Sequence, residues 1–471
     1  MIWRRVMLLE LRIMRRDPAL LWVLGVFSLF LVISSISSGN HANSLEAGLQ
    51  KSEQEVSQRF QQLEERFKDL QPTAPLTSQD PRDPVWMGKE GAAQIAFLPP
   101  SPLAPVAIGE RDLHPQAMRI TTELNVTAEG ETETPMVAPT RLRTGALDPS
   151  FLFVVLFPLV VIALSYEILS GERERGTLTM LLSQPISQGQ LVIGKALARA
   201  GVLCLVTLLF AGIGLTVAGV DWSVAGTTKH FLLYSIILIC WTLFWFAAAV
   251  LVNALSTGSA RNALTLVGIW LSLVVIIPGL VRVGVDTWYP APSAINLMQE
   301  ARESSQDIEA KLNDMVGRHD VDQKEANYAA KVVTVQEELA ERVEPAIQSL
   351  REQERERKEI IRLMQYTSPA IVVQLALEDV AGSGGIRHHR FKTQSDKYHD
   401  EFRSFFVEKI KKKQPIIKED LNDIPEMQYQ EEPFVDLVKR VFASAGFLLV
   451  LAVAFLLVAM SGLRKIGRLT R

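Results

Sequence analysis

Three histidines in the second half of the chain, His388, His389 and His399, are the residues best suited to binding a metal ion. Imidazole nitrogens are common zinc ligands, so this cluster could in principle hold an ion. A glycine-rich neighbouring stretch without cysteine favours polar surface or structural hydrogen bonding instead. The sequence has no His-Glu-x-x-His, no Cys-x-x-Cys and no Gly-x-x-x-x-Gly-Lys-Ser/Thr phosphate loop. We therefore expect a protein that is not an enzyme, does not hydrolyse ATP itself and holds no metal or other cofactor.

A charged stretch at residues 172–185, ERERGTLTMLLSQP, indicates mechanical rather than catalytic work. It combines four charges, a glycine, an apolar patch and a final proline in a short length of chain. Such a composition predicts a short amphipathic helix pressed against another surface, and a solvated charged loop is the alternative. The apolar patch consists of Leu178, Met180, Leu181 and Leu182.

Six apolar blocks must position this stretch. Each is about 20 residues long, the length needed to cross a hydrocarbon core of about 30 Å. Their cores carry no charged residue, which at the bilayer centre would cost about 2.5–3.5 kcal/mol. For the first block, an uncleaved anchor is favoured over a cleaved signal peptide, because no Ala-x-Ala site follows. The blocks are residues 19–38, 149–169, 196–219, 230–255, 262–281 and 441–460.

Two large polar inserts separate the blocks. The first begins with a seam of apolar residues at steps of four and three, which predicts either one helix packed on its own domain or a dimer contact. From Pro72 onward, prolines exclude helix and predict extended segments and turns. The second insert predicts long charged helices that are broken near residues 317–320. The seam residues are Val56, Phe60, Leu63, Phe67 and Leu70.

The fold class is therefore a mainly α-helical membrane protein with six transmembrane helices and two large extracytoplasmic inserts, one partly proline-rich and extended, the other helical. A cluster of Asp379, Arg387 and Arg390 is expected to form structural ion pairs at the membrane surface. The predicted divisions are 1–38 (N-terminus and first span), 39–148 (first insert), 149–283 (spans two to five), 284–436 (second insert) and 437–471 (last span and tail).

Lysine and arginine residues at the span ends predict the orientation. Both termini and the region between spans two and three are basic, whereas the loop at residues 220–229 holds one lysine. By the positive-inside rule, both termini and residues 171–195, here called the coupling segment, lie in the cytoplasm. The net charge of -3 gives no indication of nucleic-acid binding. Lipid is the expected surrounding of the spans.

Three stretches resemble one family. Residues 166–185, YEILSGERERGTLTMLLSQP, look like the coupling region of ABC-2 family permeases, the membrane subunits of ABC transporters. Residues 102–115, PLAPVAIGERDLHP, are similar to the NosY-like branch of that family, which has large extracytoplasmic inserts. So is the region from SPA at 368–370 to RHHRF at 387–391. The resemblance touches nearly the whole chain.

The resemblance implies a type V exporter-like half-transporter of six spans in the bacterial inner membrane. It pairs with a second copy or a similar permease, and a separate cytoplasmic ABC ATPase subunit binds ATP and Mg. It also implies that part of the coupling segment contacts that ATPase. Those residues are Glu172, Arg173, Glu174, Gly176, Thr177, Leu178, Leu181, Leu182 and Pro185.

Two functions remain open at this point. The first is a permease that couples ATP hydrolysis in the partner subunit to export. The second is an ATPase-driven scaffold or mechanical transmitter that acts on a periplasmic partner without moving a solute. The polar residues expected to line a solute path are few, and they are Ser165, Thr207, Thr242, Asn253, Thr265 and Ser272.

Overall fold

The computed structural model describes residues 2–69, 79–109, 111, 115–122, 148–256, 258–290, 303, 306 and 324–469. In this part of the chain, six helices are long and apolar enough to cross a membrane, and each coincides with one predicted block. The predicted membrane fold is thereby confirmed. In chain order, spans 1 to 6 are Pro18–Lys68, Pro149–Glu174, Gln188–Val217, Thr227–Leu255, Ser259–Trp288 and Phe434–Leu463.

The helices that form these spans and their connections are named in chain order. In the first half of the chain they are α1 (Ile2–Met14), α2 (Pro18–Asp69), α3 (Phe157–Ser165), α4 (Ser170–Glu174), α5 (Thr177–Leu182), α6 (Gln188–Val217) and α7 (Thr227–Leu255). In the second half they are α8 (Ser259–Trp270), α9 (Ile277–Trp288), α10 (Lys324–Met364), α11 (Pro369–Ala381), α12 (Gly385–Lys411) and α13 (Phe434–Leu469).

Spans 2 and 5 each contain a wide helical turn. Leu152–Leu156 and Leu271–Ile276 are π-helical, and Pro158 and Pro278 follow directly. A proline ring clashes with the preceding turn of a regular helix and removes one hydrogen bond. The wide turns lie where such a disturbance is expected.

Aromatic side chains fill the centre of the span bundle. Span 4 contributes most of them, and 72% of its most apolar stretch is buried, against 11% for span 5. Trp241, Phe244 and Trp245 pack on one another, with ring centroids 5.4–5.6 Å apart. Offset and edge-to-face pairs of this kind stabilise a core beyond the area they bury. Span 4 is therefore the central helix of the bundle.

The first span continues far beyond the bilayer. α2 runs unbroken through the predicted division at residues 38 and 39 and ends 31 residues later, at Asp69. Gly39 lies against the end of α6, where a Cβ atom would come within 2.6 Å of the Ala218 Cβ and carbonyl oxygen. Only glycine allows the backbones of α2 and the end of α6 to cross this closely.

The distal end of α2 packs on a small domain built from both inserts, here called the insert domain. Antiparallel strands β1 (Gln94–Phe97) and β2 (Ala117–Ile120) pair with Gln94 opposite Ile120. Helix α12 lies against them and buries Phe391, Phe402 and Phe406 completely. Leu63 is 2% exposed in the same core, with Phe60 and Phe67 at its edge. The seam thus packs on its own domain; Leu70 lies outside the described residues.

The exclusion of helix after Pro72 was wrong at Pro84–Gly91, and a short 3₁₀ turn also forms at Ala104–Val106. Pro84–Trp86 form a helical turn that continues as a π-helical turn, Met87–Gly91. Pro84 occupies the first helical position, where its missing N–H is not needed and its fixed φ suits the helix. The Asp83 side chain caps this turn by accepting a hydrogen bond from the N–H of Val85. The break predicted near residues 317–320 lies outside the described residues.

The second insert returns to the membrane region through α11. Its side chains Val373, Leu377 and Val380 are fully buried in the same core as the spans. The Ser368 hydroxyl donates a hydrogen bond to the carbonyl of Leu273 in span 5. α11 therefore closes the end of the span bundle that faces the insert domain.

Candidate functional site

The coupling segment folds as two short helices followed by the start of α6. The stretch predicted as one helix is divided at Gly176, whose φ of 71° precedes α5. This left-handed backbone conformation strains residues that carry a Cβ, so glycine permits the turn. Ser187 then begins α6 with a capping box, because its hydroxyl accepts from the Gln190 N–H and the Gln190 side chain accepts from the Ser187 N–H.

Four charges that are buried or largely buried tie the coupling segment to its surroundings; we call them the four-charge network. Lys195 Nζ lies 2.6 Å from Glu172 Oε1 and 4.0 Å from Glu10 Oε2. Arg199 Nη2 lies 2.5 Å from the other oxygen of Glu10, and Arg199 Nη1 donates to the Leu164 carbonyl. The charges alternate in sign and balance, which limits the desolvation cost of burying them. The network joins α1 and α4 to α6.

The two other charged residues of α4 with predicted roles bind the connection between spans 4 and 5. Arg173 Nη1 donates to the Ser256 carbonyl at 3.1 Å. Glu174 accepts from the Ser259 N–H at 2.7 Å and from its hydroxyl at 2.9 Å. Ser259 is the first residue of α8, where a carboxylate also interacts favourably with the helix dipole. α4 is thus fixed on two sides.

A buried amide pair, Asn253 and Asn262, lies beneath α4. Asn253 Nδ2 donates to the Ser165 carbonyl at 3.1 Å, and its Oδ1 accepts from the Leu169 N–H at 3.2 Å. Asn262 Nδ2 donates to Asn253 Oδ1 at 3.1 Å. Both asparagines are fully buried, so their hydrogen bonds are costly to lose. They hold the end of span 2, where α3 gives way to α4, against spans 4 and 5.

Helix α5 contrasts with α4 because none of its residues is buried. Leu178 rests on the span core, and Leu181 and Leu182 are half-buried. Met180 is 77% exposed on the opposite side, next to the exposed Thr177 and Thr179. Pro185 is also exposed, after the end of the helix. α5 therefore presents an accessible surface that a rigid base supports.

The structure divides the predicted site residues into those on α4 and those on or beside α5. On α4, Glu172, Arg173 and Glu174 bind other parts of this chain. On α5, the Thr177 hydroxyl donates a hydrogen bond back to Glu172. Sequence reasoning missed the partners of these α4 residues, which are Lys195, Ser256 and Ser259, and it missed the pair of Glu10 and Arg199 that extends the network from Lys195. The signal available was that Glu10 is the only acid before Asp17, and that Lys195 and Arg199 flank the start of an apolar block.

A second charged cluster lies at the other end of the bundle; we call it the insert-end triad. Arg440 Nε lies 2.8 Å from Asp379 Oδ2, and Arg440 Nη2 lies 2.6 Å from Glu432 Oε1. Burial raises the pKa of the Asp379 carboxyl, and the neighbouring Arg440 guanidinium opposes that shift. The triad connects α11, the segment before α13, and α13 itself.

The expected cluster of Asp379, Arg387 and Arg390 was therefore wrong. Asp379 pairs with Arg440, whereas Arg387 pairs with Glu431 and Arg390 donates to the Gln430 carbonyl. All three partners come from residues 430–440. The spacing along the sequence could not indicate this, because that segment is distant in sequence and returns to the insert domain only in the folded chain.

The histidines do not form a ligand set in the described part of the chain, where no group of three or more His, Cys, Asp or Glu side chains is arranged to hold a metal. His399 is 3% exposed, with its Nδ1 3.7 Å from Asp400 Oδ1. The ring of His388 packs near Phe391, with centroids 6.2 Å apart. His388 and His399 thus contact neighbouring side chains of α12.

Comparison with known proteins agrees with this architecture. The sequence model of the family described as "ABC-2 family transporter protein" matches residues 5–463. A "Probable ABC transporter permease protein NosY" of Stutzerimonas stutzeri is 32% identical over 126 residues, 26% of this chain and 45% of that protein. The protein of the same description in Pseudomonas aeruginosa is 44% identical over 57 residues, 12% of this chain and 21% of that protein. The chain thus matches less than half the length of either relative.

Proposed function

Because this chain belongs to the ABC-2 family of transporter proteins, we propose that it is a permease subunit that couples ATP hydrolysis in a separate ATPase subunit to export across the bacterial inner membrane. ATP and Mg are bound by that partner, and this chain supplies the membrane path and the contact surface. The observation that carries the proposal is the exposed surface of α5 on a base anchored to spans 4 and 5, α1 and α6.

The contact has two parts in this proposal. Met180 and Thr177 form the surface that meets the ATPase, with Leu178, Leu181 and Leu182 seating α5 on the spans. Glu172, Arg173 and Glu174 transmit displacement, because Glu172 is bonded to α6 and the other two to the connection between spans 4 and 5. Gly176 lies directly before α5 and Pro185 shortly after it, so these two residues mark the limits of the helix that moves. The N-terminus, coupling segment and C-terminus then lie in the cytoplasm, and the insert domain in the periplasm.

The direct test replaces Met180 with glutamate. A charge at the centre of an apolar contact is expected to weaken ATPase binding about 10-fold to 100-fold, as for a typical interface hot spot. The measurement is co-purification of the ATPase subunit and stimulation of its activity by the detergent-extracted permease. Ile417→Glu is the matched control, because Ile417 is also exposed (51%) but lies beside the insert domain. Undiminished stimulation by the Met180→Glu permease would contradict the proposal.

We also propose that span 5 faces a second permease, either another copy or a similar chain. Only 11% of its most apolar stretch is buried within this chain. Its exposed side carries Thr265, Gly268, Ser272 and Gly279, and a Cβ atom built at either glycine meets nothing within 4 Å. Small and hydroxyl-bearing residues allow close helix packing in lipid.

Disulfide crosslinking tests this pairing. Cys204 and Cys240 are the only cysteines and can be replaced, after which Gly279→Cys should give a crosslinked dimer in membranes. Leu205→Cys on span 3 is the control, since Leu205 is 70% exposed on a different helix. Equal crosslinking at both positions would indicate random collision and exclude span 5 as the specific contact.

The mechanical alternative keeps specific support. The aromatic centre of the bundle is filled within one chain, and α2 extends without interruption from the bilayer to the insert domain. In that function, ATPase-driven motion reaches a periplasmic partner and no solute crosses. Reconstituted vesicles separate the two: ATP-dependent movement of a solute supports export. ATPase stimulation by an insert-binding partner without solute movement supports transmission.

A further inference from the structure

The side of α1 that faces away from the bundle carries both apolar and basic residues; we call it the free face. Leu8 is 58% exposed, Leu9 53% and Ile13 49%. The basic residues follow at the end of the helix and in the turn after it, and all are exposed. They are Arg12, Arg15 and Arg16. Large apolar residues beside arginines are the composition of a helix that lies in a membrane interface.

The opposite side of α1 is fixed, so the free face has one orientation. Val6, Glu10 and Met14 are buried at successive steps of four residues. Glu10 is only 2% exposed and holds Arg199 at 2.5 Å. Rotation of α1 would break this pair and leave Arg199 without its carboxylate. The arginines therefore stay directed away from α6.

Covalent geometry places the three arginines at the level of lipid headgroups. Span 1 begins at Pro18, two residues after Arg16. The chain between them is a tight turn, in which the Arg16 N–H donates to the Ile13 carbonyl and the Asp17 carboxylate accepts from the Ala19 N–H. Asp17 is thus engaged in capping α2. Among the described residues, no hydrogen bond or ion pair joins the side chain of Arg12, Arg15 or Arg16 to another group.

We propose that the free face of α1 binds anionic lipid headgroups, with the arginines contacting their phosphates and Leu8, Leu9 and Ile13 entering the acyl boundary. Guanidinium groups match phosphate oxygens through paired hydrogen bonds. If the arginines only stabilised the dipole of α1, one cation in the last turn of the helix would be enough. A soluble protein partner fits less well, because the apolar side chains adjoin the start of a bilayer-crossing helix whose first large apolar residues, Leu21 and Trp22, are also exposed. This proposal does not depend on ATPase coupling.

The test counts lipids bound to the full chain. The chain is extracted in mild detergent with equal amounts of phosphatidylglycerol and phosphatidylcholine, and bound lipid is measured by native mass spectrometry. Each arginine near an anionic surface contributes about fivefold in affinity, so Arg12→Gln/Arg15→Gln/Arg16→Gln should lower phosphatidylglycerol affinity about 100-fold. The matched control Lys51→Gln/Lys397→Gln/Lys412→Gln removes three exposed charges from the inserts and should leave lipid binding unchanged.

Several outcomes would overturn the proposal. These are unchanged phosphatidylglycerol binding in the glutamine variant, equal loss in the control, or equal binding of phosphatidylcholine by the unaltered chain. Competition by millimolar inorganic phosphate would show a site for free phosphate. Loss of the ATPase subunit with lipid retained would assign the face to a protein. Should the glutamine variant fail to fold, Arg12→Lys/Arg15→Lys/Arg16→Lys keeps the charges and must retain the preference; losing it would also overturn the proposal.

Discussion

The two ends of the span bundle are both held by largely buried charges, but their charge balance differs. The four-charge network has two acids and two bases and joins α1, α4 and α6. The insert-end triad has two acids, Asp379 and Glu432, that share one base, Arg440. A balanced network survives the loss of one member better than an arrangement in which one cation satisfies two carboxylates. The insert end should therefore depend more on a single residue and on pH.

The largest effect is expected for Arg440→Met. This change leaves Asp379 and Glu432 close together, largely buried and without a cation, which should cost about 3–5 kcal/mol of unfolding free energy. The measurement is thermal or denaturant unfolding of the purified protein in detergent. Lys439→Met is the control, because Lys439 is 71% exposed and its partner, Asp436, is exposed as well. Similar losses in the two variants would remove the special role of the triad.

A smaller effect is expected for Lys195→Met. Glu172 loses its partner, but Arg199 still neutralises Glu10, so we expect a loss of about 1.5–3 kcal/mol, as for a hydrogen bond to a charged group. The same unfolding measurement applies, with Arg175→Met as control since its pair with Glu167 is largely exposed. A loss larger than that of Arg440→Met would reverse the comparison between the two ends.

The pH dependence should also distinguish the ends. Because burial raises the pKa of Asp379 above its unfolded value, its ionised form is disfavoured in the folded protein. As pH falls from neutral toward the ordinary range of aspartate, the folded state takes up this proton first and gains stability from it. The melting temperature of the unaltered protein minus that of Asp379→Asn should therefore rise as pH falls. A constant difference would show that Asp379 does not titrate there.

The smallest effect is expected for Ser259→Ala, which removes the hydrogen bonds of this hydroxyl to Glu174 and to the Ser170 hydroxyl at the edge of α4. The Ser259 N–H still donates to this exposed carboxylate, so the loss of unfolding free energy should be smaller than that of Lys195→Met. Asn253→Leu is the internal comparison, since it removes buried hydrogen bonds to Ser165, Leu169 and Asn262 and should cost more. Equal losses in the two variants would mean that the exposed contact of Ser259 and the buried contacts of Asn253 contribute equally to the unfolding free energy.

Much of the membrane region could be predicted from sequence, since an apolar block of span length has few alternatives to a helix. The pairing of Glu10 with Arg199 could not, because it joins residues 189 positions apart through the packing of α1 on α6. Likewise, Ile371 to Leu377 are visible as apolar, but their burial among the spans depends on the return path of the second insert. Periodicity specifies a helix face and leaves its partner undetermined.

The continuity of α2 has a geometric consequence. At 1.5 Å per residue, the portion beyond Ser38 extends about 45 Å from the membrane core, so a tilt of about 5° would displace its far end by about 4 Å. Gly39 contacts Ala218 where this portion of α2 begins, so α2 can pivot about that contact. Small rearrangements within the bilayer would be amplified at the insert domain by leverage, without a hinge along the rod.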